Sequence, residues 1–103
     1  MATIERWLLP DHPAAQGHFP GNPVIPGAVL LSEALRAIEA SLGVNLSPCR
    51  IRFAKFFHPA RPGDCVLVDF SAHDGGRIRF GCTVGEKTVL AGEVTCSDTL
   101  TAA

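Results

Sequence analysis

The chain has 103 residues, a formal net charge of -1 and a hydrophobic content of 47%. This length fits one domain, and the near-neutral charge provides no basic field that would recruit nucleic acid. No run of about 18 apolar residues predicts a membrane span, and the N-terminal residues lack the apolar stretch of a signal peptide. The four cysteines are widely spaced without a C-x-x-C pair, which argues against zinc and favours reduced thiols in a cytoplasmic protein.

The first half of the chain predicts a strand, a long loop and a helix. Residues 3–9 form a short apolar run that we interpret as a strand at a sheet edge, ended by Pro10. Residues 10–27 are rich in proline and glycine, and loops of this length in a small domain are usually functional. A helix is predicted over 28–42, with Gly43 as its C-terminal stop. Its apolar face is predicted to carry Leu31, Leu35, Ile38 and Leu42.

The second half of the chain predicts antiparallel strands. Alternating and β-branched residues place these strands over 49–57, 65–72, 77–84 and 88–97. Ile51 and Phe53 are expected on one side of the first strand. Leu90, Gly92, Val94 and Cys96 are expected on one face of the last strand. One helix cannot cover both faces of such a sheet, so we expect it across one face, and the remaining apolar surface favours a dimer.

One histidine dominates the long loop. Segment 17–27 contains three prolines, three glycines and a single titratable side chain, His18. A histidine held in a stiff loop beside a helix N-terminus is suited to act as a general base near an anion-stabilising dipole. The alternative is a rigid surface loop with an uninvolved histidine. His12, His58 and His73 each precede a proline or a turn, and we interpret them as surface residues.

Two motifs in this order resemble a known family. Residues 18–27, HFPGNPVIPG, resemble the H-F-P-G-x-P-x-x-P-G signature of the 3-hydroxyacyl-[acyl-carrier-protein] dehydratases. Residues 53–57, FAKFF, and 61–64, RPGD, resemble a strand and turn of the same family. The resemblance implies an α+β hot-dog fold, in which one long central helix is wrapped by a curved antiparallel sheet of about five strands. It implies a single domain over 1–103 and a homodimer, or a larger homo-oligomer, with shared active sites.

The resemblance also implies a reaction, the elimination of water from a 3-hydroxyacyl thioester to give a trans-2-enoyl thioester. His18 would act on the α-proton, and the backbone N–H of Gly27 would bind the thioester oxygen. Unpaired amides and the helix dipole supply positive potential at this point. Phe19 and Pro26 would contact the substrate. The acyl group would arrive on the phosphopantetheine of an acyl carrier protein, and no metal or redox cofactor is implied.

The sequence differs from the family pattern at the position of the acid that protonates the leaving hydroxyl group. The pattern places Glu or Asp five residues after its last glycine, and this position is Ser32, with Glu33 one residue later. One residue turns a helix by about 100°, so the two side chains point differently. Either a one-residue insertion or bulge near Ala28 returns Glu33 to the site, or Ser32 holds the acid position. Arg36 would line the site with Ser32, or else pair with Glu33 or Glu39 on a solvated face.

Basic residues cluster locally after the helix. They are Arg50, Arg52, Lys55 and Arg61. Such a patch at the mouth of a substrate tunnel would steer an acidic carrier protein and hold its phosphate, or it would protect an edge strand by charge. Two other functions stay open on the same scaffold: thioester hydrolysis with Glu33 or His18 as base, and a non-catalytic module that binds acyl groups or carrier.

Overall fold

The computed structural model describes residues 2–11, 24–46 and 48–96. Its elements in chain order are β1 (Ala2–Trp7), α1 (Gly27–Leu42), β2 (Cys49–Phe56), β3 (Cys65–His73), β4 (Arg77–Val84) and β5 (Lys87–Cys96). In this part of the chain the strands form one antiparallel sheet in the order β1-β3-β4-β5-β2. The predicted elements are therefore confirmed. The strands β3, β4 and β5 follow one another as a meander, and β1 and β2 form the two edges.

The helix has the extent predicted from the sequence, but it is not the long central helix that the resemblance implies. It has 16 residues, which corresponds to a length of about 24 Å, so the expectation of a long central helix is corrected. It ends because Gly43 adopts a left-handed conformation with φ of 70°, and its N–H donates to the Glu39 carbonyl at 2.8 Å. This is the stop that the sequence predicts.

The helix packs on one face of the sheet, and its buried stripe shares only Ile38 with the one predicted. Its buried residues are Leu30, Ala34, Ala37 and Ile38. Leu31, Leu35 and Leu42 pack only at the border of the core. The two alanines explain the difference, because their small side chains allow the helix backbone to approach the sheet closely, whereas the larger leucines fill the flanks.

The sheet face under the helix supplies most of the core. Its fully buried members include Val68, Ile78, Cys82, Leu90 and Val94. In β5 the predicted common face is confirmed, since Leu90, Gly92, Val94 and Cys96 are all buried. Each large apolar side chain of this kind contributes about 1.5–3 kcal/mol when it is fully removed from water.

The edge strand β2 contains a bulge that the sequence does not reveal. Ile51 lies opposite Val94, and Phe53 lies opposite the adjacent residue Glu93, so the register shifts at Arg52. Because directly opposite residues share a sheet face, Ile51 and Phe53 lie on different faces. The expectation that they share one side is therefore wrong.

Candidate active site

An open, mostly apolar pocket of about 600 Å³ lies at the N-terminus of α1. Two chain segments form its walls: residues 24–27 with Leu30 from the helix, and residues 56–60 from the end of β2 and the following loop. Its lining is Val24, Ile25, Pro26, Gly27, Leu30, Phe56, Phe57, His58, Pro59 and Ala60. This volume falls in the range of small-molecule sites.

A short backbone bridge holds the two walls together. The Ile25 N–H donates to the Ala60 carbonyl at 2.8 Å, and both residues are buried. The Phe57 N–H donates to the Val89 carbonyl at 3.0 Å, which ties the second wall to β5. The start of the helix and the strand end are therefore fixed relative to one another.

Gly27 is the first residue of α1 and lines this pocket. The amides of Val29 and Leu30 both donate to the Pro26 carbonyl at 3.0 Å, so the earlier amides precede the first intrahelical bonds. A Cβ at position 27 would lie 3.0 Å from Cε1 of Phe56. The close approach of this ring is thus a structural reason for glycine here. The amide end of the helix dipole faces the pocket.

The histidine of the signature lies outside the described residues, as does Phe19. Their roles as base and substrate contact stay predictions. Pro26, the third residue predicted from this loop to contact substrate, does line the pocket beside Gly27.

Glu33 is paired with the first strand. Its Oε2 accepts a hydrogen bond from Nε of Arg6 at 2.8 Å, and its Oε1 lies 3.8 Å from Nη1 of Arg36. The Glu33 side chain is 14% exposed. The helix runs uninterrupted from Gly27 to Leu42, so it contains no bulge near Ala28, and the predicted insertion at its entry stays a prediction. The identity of the acid stays a prediction.

Ser32 and Arg36 lie together, as their spacing predicts. Both are exposed and line a second groove, of about 410 Å³, with Leu35, Glu39, Asn45, Leu46 and Cys49. This groove runs along the helix, whereas the apolar pocket lies at its N-terminus. Arg36 also makes the long contact with Glu33 that the sequence left as its alternative role.

The predicted basic residues are distributed over separate places. Arg52 Nε lies 3.1 Å from Oε2 of Glu93, and Arg79 Nη2 lies 3.3 Å from its Oε1. Glu93 is only 5% exposed, so two arginines neutralise one buried carboxylate. Lys55 lies over the Phe53 ring, with Nζ 5.8 Å from the centroid.

Arg61 belongs to the loop that forms the pocket. It directly follows the lining residue Ala60, and its backbone N–H donates to Oδ2 of Asp64 at 2.8 Å. Arg50 lies opposite Thr95. Beside Glu93, Arg52 comes from β2 and Arg79 from β4, so the arginines near this carboxylate come from two strands. Sequence proximity alone did not indicate the contribution of β4.

Sequence reasoning missed three residues of the pocket wall. His58 was interpreted as a surface histidine. It is exposed, yet it lines the pocket between Phe57 and Pro59. Phe56 and Phe57 were interpreted only as part of a strand. The available signal was the apolar pair directly before a His-Pro turn, which is unusual at an exposed strand end.

Among the described residues, burial is the main cause of the raised pKa of two thiols, Cys82 and Cys96. It raises the pKa of Cys82 to about 12, with a smaller contribution from the charge of Asp69. In this part of the chain no three His, Cys, Asp or Glu side chains are grouped to hold a metal ion. No helix within residues 2–11, 24–46 and 48–96 has the length and apolar character needed to span a bilayer.

Solved structures share this architecture. The dehydratase heterocomplex ApeI:P from Xenorhabdus doucetiae matches with a TM-score of 0.74 at 21% identity, covering 92% of this chain and 86% of that one. A point mutant of the fluoroacetyl-CoA-specific thioesterase FlK matches with a TM-score of 0.65 at 15% identity, covering 99% of this chain and 94% of that one. At these identities the likeness establishes the hot-dog fold alone.

Sequence relatives indicate the family. The 3-hydroxyacyl-[acyl-carrier-protein] dehydratase FabZ of Chlamydia trachomatis is 33% identical over 97 residues, covering 82% of this chain and 63% of the relative. FabZ of Xylella fastidiosa is 32% identical over 103 residues, covering 89% and 63%. The chain thus spans less than two thirds of the length of these relatives. The sequence profile of the ApeI-like family, described as ApeI dehydratase, matches residues 1–93. This chain belongs to the ApeI-like dehydratase family.

Proposed function

We propose that this protein eliminates water from a 3-hydroxyacyl thioester carried by an acyl carrier protein and releases a trans-2-enoyl thioester. The observation that carries the proposal is the apolar pocket at the N-terminus of α1, which is lined by the first residue of that helix. An acyl chain needs an apolar wall, and a developing enolate needs backbone donors at one end of it. The pocket offers both within one short segment, Pro26 to Leu30.

The reaction needs a base and an oxyanion donor. His18 removes the proton from the carbon next to the thioester carbonyl, and the Gly27 N–H binds the carbonyl oxygen as negative charge develops there. The electron pair of the broken C–H bond forms the new double bond, and the hydroxyl group leaves with a proton as water. An oxyanion donor of this kind is worth about 2.7–4 kcal/mol in other enzymes.

The proton for the leaving hydroxyl is assigned to Ser32 or Glu33. The ion pair between Glu33 and Arg6 directs this carboxylate at β1, which supports Ser32 as the group that contacts the hydroxyl or a water bound to it. Because Ser32 lines the groove along the helix and not the apolar pocket, it would reach the substrate from the second subunit of the dimer proposed below. A serine hydroxyl is a weak acid, so it would relay a proton from water rather than supply its own. Arg36 lies beside Ser32 and would hold a polar group of the substrate.

The acidic carrier is proposed to dock on Arg52, Lys55 and Arg61. Arg61 adjoins the pocket wall, where a phosphate at the end of the phosphopantetheine arm would arrive. Arg52 and Lys55 lie on β2, the strand that leads to the wall. With Arg79 they add positive charge beyond the single Glu93 carboxylate, which favours an acidic partner.

The active unit is proposed to be a homodimer formed through β2. This edge strand exposes Ile51 at 50%, Phe53 at 37% and Phe56 at 50%. Such an edge, apolar and unpaired within the described chain, favours pairing with a second copy. Pairing there would also place a second chain near the pocket wall. The ApeI:P structure is named as a heterocomplex, so a pair of unlike subunits is the competing assembly.

A product assay separates this proposal from its alternatives. The purified protein is incubated with a 3-hydroxyacyl thioester of acyl carrier protein, and enoyl absorbance and free thiol are followed together. Enoyl product without thiol is expected. Free thiol without enoyl product would mean thioester hydrolysis, and carrier binding without either product would mean a non-catalytic module.

Variants assign the roles. His18→Ala is expected to abolish turnover, whereas the matched variant His73→Ala, altered at an exposed position in β3, leaves it unchanged. Ser32→Ala is expected to lower kcat more than Glu33→Gln does. The reverse order would make Glu33 the acid, and equal turnover of His18→Ala and the parent would contradict the proposed base.

A further inference from the structure

Two cysteines lie opposite each other at one end of the sheet. This is the end of β2 that is farther from the apolar pocket. Cys49, the first residue of β2, lies directly opposite Cys96, the last residue of β5. The two thiols interact, because Cys49 contributes to the raised pKa of Cys96. Phe56 is seven residues further along β2, so about 23 Å of strand separates this pair from the pocket wall. The pair therefore lies away from the apolar pocket, although Cys49 lines the groove along the helix together with Ser32 and Arg36.

The geometry of this pair suits a disulfide. Directly opposite residues of antiparallel strands have Cα atoms about 4.5 or 5.5 Å apart, and disulfides span Cα separations of about 4.4–6.8 Å. Either type of pair falls within this range, so the bond can form without moving the strands apart. The other two cysteines lack this arrangement, because Cys65 lies opposite Trp7, and Cys82 lies opposite Val68 and Leu90.

The two thiols differ in access. Cys49 is half-buried and lines two open grooves, of about 440 and 410 Å³, whereas Cys96 lines only the first of them. Cys96 is 8% exposed. Its burial, and then the adjacent Cys49, raise its pKa to about 11, which keeps it a neutral thiol near neutral pH. Cys49 is thus the thiol expected to react first with an oxidant, and Cys96 is expected to react second, with the oxidised Cys49.

We propose that Cys49 and Cys96 are a redox-active thiol pair that a peroxide converts to an intramolecular disulfide joining β2 to β5. The Cys49 thiolate attacks one peroxide oxygen, the O–O bond breaks, and the sulfur becomes a sulfenic acid as water leaves. The Cys96 sulfur, losing its proton, then attacks the sulfenic sulfur, and the S–OH oxygen leaves as a second water. Two sulfurs are oxidised and one peroxide is reduced, and a small dithiol reductant reverses the reaction.

Peptide mapping tests the proposal on the full chain. Trypsin places each cysteine on its own peptide: 37–50, 56–77, 80–87 and 88–103, since the Arg61-Pro62 bond resists cleavage. The reduced protein is treated with hydrogen peroxide, free thiols are alkylated, and the digest is analysed without reductant. We expect peptide 37–50 linked to 88–103 with the loss of two hydrogen atoms, and its return to separate peptides with dithiothreitol. Alkylation of both peptides, or links that involve only 56–77, would overturn the proposal.

Single substitutions test the order of the two steps. In Cys96→Ser the sulfenic acid has no thiol to react with, so dimedone should label Cys49. In Cys49→Ser, dimedone should not label Cys96. The matched control Cys65→Ser, at an exposed thiol, should form the 37–50 to 88–103 link as the parent does. Loss of the link in this control would show that the disulfide arises by exchange through Cys65, and would overturn the assignment of Cys49 as the first group to be oxidised.

Discussion

The two edge strands of the sheet are built in different ways. In β1 the guanidinium of Arg6 bonds to Glu33 of α1, so this edge is tied to its own chain. In β2 the edge carries Ile51, Phe53 and Phe56, each between 37% and 50% exposed, together with a bulge at Arg52. Both edges carry exposed apolar side chains, since Trp7 of β1 is 58% exposed, but β1 is tied to α1 by an ion pair, whereas β2 carries three such side chains and a bulge. The contrast supports the proposal that a second subunit and the substrate meet the fold at β2.

The largest expected loss of kcat/KM comes from placing a charge on the exposed apolar side chains of β2. Ile51→Lys should prevent β2 from pairing, because an exposed lysine is the usual means by which edge strands avoid association. We expect the monomer mass by light scattering and a loss of about 100-fold in kcat/KM, since misplaced catalytic groups cost this much. Trp7→Lys, at a similarly exposed residue of β1, is the control and should leave both values unchanged. Equal loss in the two variants would remove the distinction between the edges.

A smaller loss of kcat/KM is expected from a substitution at the contact between the end of β2 and the start of α1. Gly27→Ala brings a Cβ to 3.0 Å from Cε1 of Phe56. Because the Phe56 side chain is half exposed, the ring should turn away and change the free energy of unfolding by less than about 1 kcal/mol. The displaced ring narrows the pocket, so kcat/KM should fall roughly tenfold, as an extra methylene does in other sites.

The double variant Gly27→Ala with Phe56→Leu provides the check on this mechanism. The shorter leucine makes room for the added Cβ, so part of the lost kcat/KM should return, measured with the same 3-hydroxyacyl substrate. If the double variant is no better than Gly27→Ala, the amide itself, rather than Phe56, is what the substitution disturbs.

The smallest expected effect is a loss of stability on breaking the ion pair between β1 and α1. Arg6→Gln and Glu33→Gln should each lower the free energy of unfolding by about 1 kcal/mol, because the pair is partly buried and bonded at 2.8 Å. Urea denaturation of both variants and their combination measures the coupling, and the double variant should lose little more than either single one. Arg36→Gln, at the longer and more exposed contact, should stay within about 0.5 kcal/mol of the parent. Additive losses would show that Arg6 and Glu33 act separately.

The local order of elements could be predicted from the sequence, because it depends on short-range patterns. Apolar periodicity located α1, and Gly43 marked its end through a conformation that glycine adopts at little cost. Alternation located the strands of the β3–β5 meander and the buried face of β5. The stripe of α1 that meets the sheet is predicted only in part: Ile38 is buried as expected, whereas close packing selects Ala34 and Ala37 over the predicted leucines.

The contacts that make a site depend on residues far apart in sequence. The sequence placed Pro26 and Gly27 at the start of the helix, but only the fold brings Phe56 and His58 against them. It offered Glu33 as an acid without indicating Arg6, which lies 27 residues away. The same holds for the two facing cysteines at the far end of the sheet, whose opposition follows from β2 pairing with β5 rather than with its sequence neighbour β3.

By itself the sequence determined the elements, their order along the chain, the family signature and the departure from that signature at Ser32 and Glu33. These features follow from side-chain periodicity, the restricted backbone of proline and the freedom of glycine, which act over a few residues. The tertiary structure decided which strand became the exposed edge, which carboxylate was paired, and which aromatic rings formed the pocket. Those outcomes depend on strand register and on packing between distant segments, because a bulge at one residue is enough to exchange the faces of a strand.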